Sequence, residues 1–224
     1  MCGRFFLTVS GEEIRRQFRC VNRIDWQERY NVAPGQTIPV VRLQGDQRRL
    51  EKLRWGLIPS WSRDETIGHR LVNARAETLA ERPAFREAFK HRRCLIPAGG
   101  FYEWQRTGHR KQPYAIRRRD GGLLAFAGLW ERWRCPESGA EIRTCVIVTT
   151  DANRLLQPLH RRMPAILEET DWDAWLDPTC TPPSPAPCRD DLLEAYPVGF
   201  HVNDPRHDDP RCLEPRQPTE PLFI

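Results

Sequence analysis

A chain of 224 residues can bury one sizeable core, and 39% hydrophobic against 29% charged residues is the balance of a soluble globular domain. No apolar run approaches the roughly 20 residues of a membrane span. The short apolar stretch Phe5 to Val9 is broken by Glu12, Glu13, Arg15 and Arg16 before it could serve as a secretory signal, so one domain in the cytoplasm is expected. Net charge is +5, and only three of the 35 basic residues are lysines (Lys52, Lys90 and Lys111). Arginine suits bidentate phosphate contacts and base stacking, so this balance is compatible with nucleic-acid binding as well as with an ordinary solvated surface.

Taken in chain order, Cys2 to Val9 reads as a strand. Ser10-Gly11-Glu12-Glu13 is a capping box that opens a helix to about Cys20, because the serine hydroxyl and the N3 glutamate satisfy each other's backbone donors. Runs rich in β-branched and aromatic residues predict strands at 38–43, 50–55, 71–74, 93–96, 101–105, 113–118, 123–129 and 142–149. Helices are expected at 82–91, 151–159, 170–176 and 190–195, where Asp or Thr can cap a first turn. Irregular strand spacing with scattered helices argues for an α+β fold. There is no βαβ alternation, G-x-G-x-x-G or P-loop to hold a nucleotide cofactor. Residues 177–187 carry five prolines and read as an exposed loop, and residues 204–224 read as an extended tail laid over the surface.

Four segments could carry chemistry. With Met1 removed, Cys2 presents an α-amine and a thiol on adjacent carbons; the amine can condense with an aldehyde to an imine, which the sulfur can close to a thiazolidine. On position alone Cys2 also reads as a small strand residue. In Asn73-Ala74-Arg75-Ala76-Glu77, strand alternation puts Asn73 and Arg75 on one face, able to hold a sugar or phosphate or simply to satisfy local backbone groups. In Gly99-Gly100-Phe101-Tyr102-Glu103-Trp104 the aromatics around Glu103 would desolvate its carboxyl and suit it to proton transfer, although an outward-facing Glu103 fits the same pattern. His160-Arg161-Arg162-Met163-Pro164 offers a histidine for proton relay and an arginine for phosphate, next to a segment that resumes as a strand. The eight cysteines contain no C-x-x-C pair and no zinc-like Cys/His cluster, so no disulfide framework, metal or other cofactor is expected.

Together these segments resemble the SOS-response-associated peptidase (SRAP) family, whose animal members were named as 5-hydroxymethylcytosine-binding proteins. The resemblance spans nearly the whole chain. It rests on Met1-Cys2-Gly3-Arg4-Phe5, Arg29-Tyr30-Asn31-Val32-Ala33-Pro34, Trp55-Gly56-Leu57-Ile58-Pro59, Asn73 to Thr78, Arg93 to Trp104, Phe126 to Trp130, Val148 to Asn153, His160 to Pro164, Tyr196-Pro197-Val198 and Val202-Asn203. It implies a compact β-rich domain with a basic groove for single-stranded DNA and an active site of Cys2, Asn73, Glu103 and His160. Met1 would be lost by self-cleavage, after which Cys2 would form a covalent DNA–protein crosslink at an abasic site, shielding the lesion during replication. In that scheme Asn73 orients the Cys2 amine, while Glu103 and His160 move protons. Arg4, Arg75 and Arg162 are implied phosphate ligands, and Pro34, Trp61 and Trp104 apolar surfaces that stack or wedge near the lesion.

The implied partners are single-stranded DNA containing abasic sites and replication-fork proteins, with the chain a monomer. Two positions depart from the family pattern, Arg161 where an acid is common and Ser62 where some members carry a second aromatic after Trp61. Two other functions stay open on sequence: a cysteine peptidase acting on other proteins through Cys2 and His160, and a non-covalent binder of single-stranded or modified DNA.

Overall fold

The computed structural model describes residues 2–108 and 110–216. In chain order its elements are β1 (Phe5–Leu7), α1 (Gly11–Gln17), β2 (Arg29–Val32), β3 (Thr37–Gln44), β4 (Gln47–Trp55), β5 (Asn73–Arg75), α2 (Arg86–His91), β6 (Arg93–Ala98), β7 (Gly100–Thr107) and β8 (Arg110–Arg118). They continue with β9 (Leu124–Arg134), β10 (Glu141–Asp151), β11 (Arg162–Pro164), α3 (Trp172–Leu176) and β12 (Leu193–Pro197). The fold is α+β, and two sheets dominate it.

The first sheet closes on itself. β10 pairs in parallel with β4, β4 with β3, β3 with β6, β6 with β9, and β9 returns to β10. Closure leaves no open edge within that ring. β10 is long enough to continue past it, and its last residues pair with β5 on one side (Ile147 opposite Asn73, Thr149 opposite Arg75) and β11 on the other (Thr149 opposite Pro164). Interior residues such as Ile38, Leu95, Phe126, Leu129 and Val146 are fully buried. This follows from long strands that are apolar on consecutive positions rather than alternating ones.

The second sheet has the order β12-β8-β7-β1-β2. Its inner face adds Phe5, Leu7 and Phe101 to the main core, while its outer face carries a smaller cluster of Phe6, Tyr102, Ala115, Val198, Val202 and Cys212. Close approach of β1 to β7 depends on Gly100, where a Cβ would lie 2.3 Å from the Phe6 ring and 2.2 Å from the Ile116 carbonyl oxygen. α1 begins as its sequence dictates, with the Ser10 hydroxyl accepting from the Glu13 amide at 3.2 Å and Glu13 returning a bond to the Ser10 amide at 3.0 Å.

Several expected elements differ. The first strand is confined to Phe5–Leu7, and α1 stops at Gln17 because Arg19 turns the chain at φ 53°. α2 starts only at Arg86, after a turn in which the Arg82 carbonyl takes the Phe85 and Arg86 amides. Residues 151–159 are not a helix. Asp151 ends β10, the Asn153 side chain takes the Leu156 amide at 3.1 Å, and Pro158 lacks the N–H a helix would need, so the segment is a run of turns. The expected helix at 190–195 is one short 3-10 turn followed by β12, which completes the open edge of β8 and buries Leu193. β2 was not foreseen at all. The proline-rich segment 177–187 has no regular structure, and its start is pinned by Arg93, whose guanidinium donates to the Trp175, Asp177 and Cys180 carbonyls.

The chain from Val198 onward is less a loose strap than a second cover. Val202 and Cys212 are fully buried, and Asp208 accepts from the Tyr30 and Asn31 amides at 2.6 and 2.9 Å while pairing with Arg29. Asn31 is the centre of this junction. Its Nδ2 donates to the carbonyls of Val202, Asp204 and His207 (3.2, 3.0 and 2.7 Å), and its Oδ1 accepts from Arg4 at 2.7 Å. The last residues of the expected tail, 217–224, lie outside the described residues. Asn31→Ala removes four hydrogen bonds at once; Arg4 and the Val202 carbonyl keep each other and the Asp204 carbonyl keeps the His207 amide, and each lost bond is worth about 1 kcal/mol net. A loss on the order of 3 kcal/mol in urea unfolding is expected, with Asn31→Asp at least as damaging because it sets a carboxylate against three carbonyl oxygens.

Candidate active site

Three strands from distant parts of the sequence deliver the residues singled out above. β1 lies antiparallel to β7, with the Tyr102 amide donating to the Arg4 carbonyl at 3.0 Å, and this register carries Cys2 toward Glu103. β5 comes alongside from the extension of β10 and presents Asn73, whose Nδ2 donates to the Cys2 carbonyl at 2.8 Å. The resemblance implies that Asn73 orients the amine of Cys2; the contact is with the carbonyl of the same residue. Asn73 Oδ1 is buried and has no hydrogen-bond partner among the described residues.

Cys2 is fully buried, with Sγ 3.9 Å from the Arg4 carbonyl. Burial pushes its thiol far above the ordinary cysteine range, and the charge of nearby Glu103 pushes in the same direction. The sulfur is therefore a neutral thiol in this environment rather than a preformed thiolate nucleophile. Glu103 is itself 5% exposed, and desolvation raises its carboxyl above the usual glutamate range, opposed in part by the positive charge available on His160. By strand alternation Glu103 shares the inner face of β7 with the fully buried Phe101, opposite Tyr102 and Trp104.

His160 sits where the turns of 151–159 give way to β11. Its Nδ1 lies 2.9 Å from the Arg162 amide nitrogen and 3.1 Å from the Arg162 carbonyl oxygen, so the backbone of Arg162 anchors that edge of the ring. Arg162 is held in turn by three groups: the Glu77 carboxylate through Oε1 and Oε2 at 2.7 and 3.0 Å, Asp151 Oδ1 at 2.8 Å and the Thr149 carbonyl at 2.6 Å. That network locks β11 against β10 and the segment after β5, and with them the imidazole.

Beside these residues runs an open groove of about 550 Å³ lined by Arg75, Trp104, Arg106, residues 157–159, His160, Arg161 and Arg162. Of the six residues expected to meet DNA, Arg75, Trp104 and Arg162 line it. Trp104 is fixed by its Nε1–H to Asn203 at 2.8 Å. Arg4 lies behind Trp104, 5.9 Å from its ring centroid, with its guanidinium on Asn31 and the Val202 carbonyl. Pro34, exposed on the turn after β2, and Trp61, 60% exposed with its Nε1–H on the Pro83 carbonyl, are not part of this lining. Ser62 does not face outward either, since its hydroxyl is spent on Asp64 and its carbonyl on Trp133, so the departure there falls on a buried turn. Sequence reasoning gave no role to Asn31, Glu77, Asn203 or Arg106. All but Arg106 lie within the quoted motifs, yet their work is to hold other side chains, and no spacing rule predicts that.

The family model of the SOS response associated peptidase, SRAP, matches residues 1–205. The chain belongs to the SRAP family. Among its relatives, the abasic site processing protein YoqW of Bacillus subtilis is 43% identical over 96% of this chain and 99% of that protein. YoaM of the same organism, also named an abasic site processing protein, is 42% identical over 96% of this chain and 98% of its own length. A more distant SRAP relative, the abasic site processing protein HMCES of Xenopus tropicalis, is 29% identical over 95% of this chain and 78% of that protein. Among solved structures, a protein from Bacteroides thetaiotaomicron superposes with a TM-score of 0.87 at 27% identity, covering 96% of this chain and all of that one.

The raised Glu103 carboxyl has a thermodynamic sign. A folded-state value above the unfolded one means the native state binds the proton more tightly, so stability drains as pH rises from the ordinary carboxylate range through the folded value. Glu103→Gln should therefore be more stable than the parent at pH 7–8, with the difference in melting temperature closing near pH 4; an equal difference at both pH values would contradict the burial argument.

Proposed function

We propose that this chain processes abasic sites in single-stranded DNA, joining Cys2, once Met1 is removed, to the aldehyde of the exposed deoxyribose. The observation that carries the reading is the meeting of Cys2, Asn73, a desolvated Glu103 and His160 beside a groove whose charged side chains are all basic. The names of the family relatives point the same way.

In this reading the α-amine of Cys2 is the first nucleophile. Asn73 fixes the carbonyl side of Cys2, which sets the direction in which the amine projects. Glu103, its carboxyl raised by burial, acts as the acid: it protonates the departing ring oxygen as the sugar opens, takes up the proton that the amine releases on forming the carbinolamine, and gives it to the carbinolamine hydroxyl as water leaves. His160, with its Nδ1 edge anchored on the Arg162 backbone, exchanges a proton with the sugar hydroxyl through Nε2. The buried thiol then adds to the imine carbon; the C–S bond forms, the sulfur proton passes to nitrogen, and a thiazolidine results. One water is lost overall and no oxidant is required. A neutral thiol is suited to this order of events, because it does not compete with the amine for the aldehyde. Arg4 and Arg75 serve the strand, Arg4 by steadying Trp104 from behind. Arg162 meets a phosphate at the expense of part of its Glu77 pair, while Pro34 and Trp61 act as apolar surfaces further along the DNA.

The test is a denaturing gel of the protein, its N-terminus verified by mass spectrometry, mixed with an oligonucleotide bearing one abasic site. The parent gives a shifted band and Cys2→Ala none. Cys2→Ser keeps the amine but lacks the sulfur, so its adduct should survive denaturation only after borohydride reduction. Glu103→Gln and His160→Ala should slow adduct formation by about 10² or more. A parent that binds the oligonucleotide, lacks Met1 and still gives no band would leave the non-covalent binder as the reading.

A further inference from the structure

The groove wall carries more arginine than the proposed chemistry uses. Arg106 lies two residues beyond Trp104 on β7, on the same side of the strand, and Arg161 projects from the turn that follows residues 157–160. Both are exposed, and among the described residues neither makes a side-chain hydrogen bond or ion pair. No Asp or Glu lines the groove. The contrast within the molecule is sharp. A second arginine-rich pocket, lined by Arg42, Arg92, Arg132 and Arg143, includes Glu131 and has those arginines tied to Glu51, Glu131 and Glu141. It is a lattice of ion pairs already neutralised. The groove holds guanidiniums without counterions on two separate chain segments, around an indole ring fixed by Asn203.

We propose that Arg106 and Arg161 form a phosphate clamp that takes the two backbone phosphates flanking the nucleotide seated on Trp104. The inference rests on the groove being the single-strand site described above, but not on crosslink formation. Arginine fits this role because its planar fork meets phosphate oxygens in pairs, while the aromatic face between the clamps accepts any base.

The clamp is tested with an intact, fluorescently labelled oligothymidylate, which cannot crosslink, by anisotropy across a salt series. Each phosphate contact to a single strand contributes about 0.7 to the slope of log affinity against log salt. Arg106→Ala/Arg161→Ala should flatten that slope by about 1.4 and weaken binding roughly tenfold or more at 0.1 M salt. Arg119→Ala/Arg134→Ala removes the same net charge from exposed positions outside the groove and should leave the slope unchanged. An unchanged slope in the clamp variant, or an equal loss in the control variant, overturns the proposal. A flattened slope in a protein that never crosslinks keeps the clamp and removes only the covalent chemistry.

Discussion

One buried side chain holds the two ends of the described chain together. Asn31 spends its amide protons on three carbonyls of the segment 202–207 and its oxygen on Arg4, two residues from Cys2. An asparagine can do this because it presents donors and an acceptor from one planar group; no apolar or singly charged side chain satisfies both sets. Trp104 depends on the same junction from two sides, through Asn203 and through Arg4 behind its ring. The floor of the groove and the approach to Cys2 are thus set by a contact neither of them makes.

The second constraint is the length of β10. Its first part closes the barrel, and its last residues reach beyond to pair with β5 and β11. Asn73 and the His160–Arg162 corner therefore hang from the same rigid strand. Glu103 comes from the other sheet, on β7, which Gly100 allows to pack against β1. Placing the proton-handling groups on strands of two sheets that share one core limits their relative movement, as transfer over hydrogen-bond distances requires.

Much of this was legible in the sequence where local rules decide. The capping box of α1, the long apolar strands and the desolvated setting of Glu103 follow from residue type and neighbours. What failed did so where tertiary context outweighs propensity. Residues 190–195 carry helix-forming Leu, Glu and Ala, yet an unpaired edge of β8 offered a ladder that a short isolated helix could not match. Residues 151–159 look capped by Asp151, but that residue is consumed by β10 and by Arg162. At the site, the chemically obvious residues stood out, while their holders did not, because a positioning role is defined by partners distant along the chain, such as Glu77 for Arg162 or Asn203 for Trp104. Arg4 shows the same limit: its contacts with Asn31 and the Val202 carbonyl are set by residues distant along the chain.

The Asn31 junction also bears on the order in which the protein is made. Val202 follows Arg4 by 198 residues, so the strand that carries Cys2 is delivered long before the segment 202–207 on which Arg4 is seated. During translation the N-terminal strand is thus exposed but unbraced. The brace on Arg4 forms only once residues 202–207 exist, so a chain that stops short of them keeps the strand after Cys2 without its support.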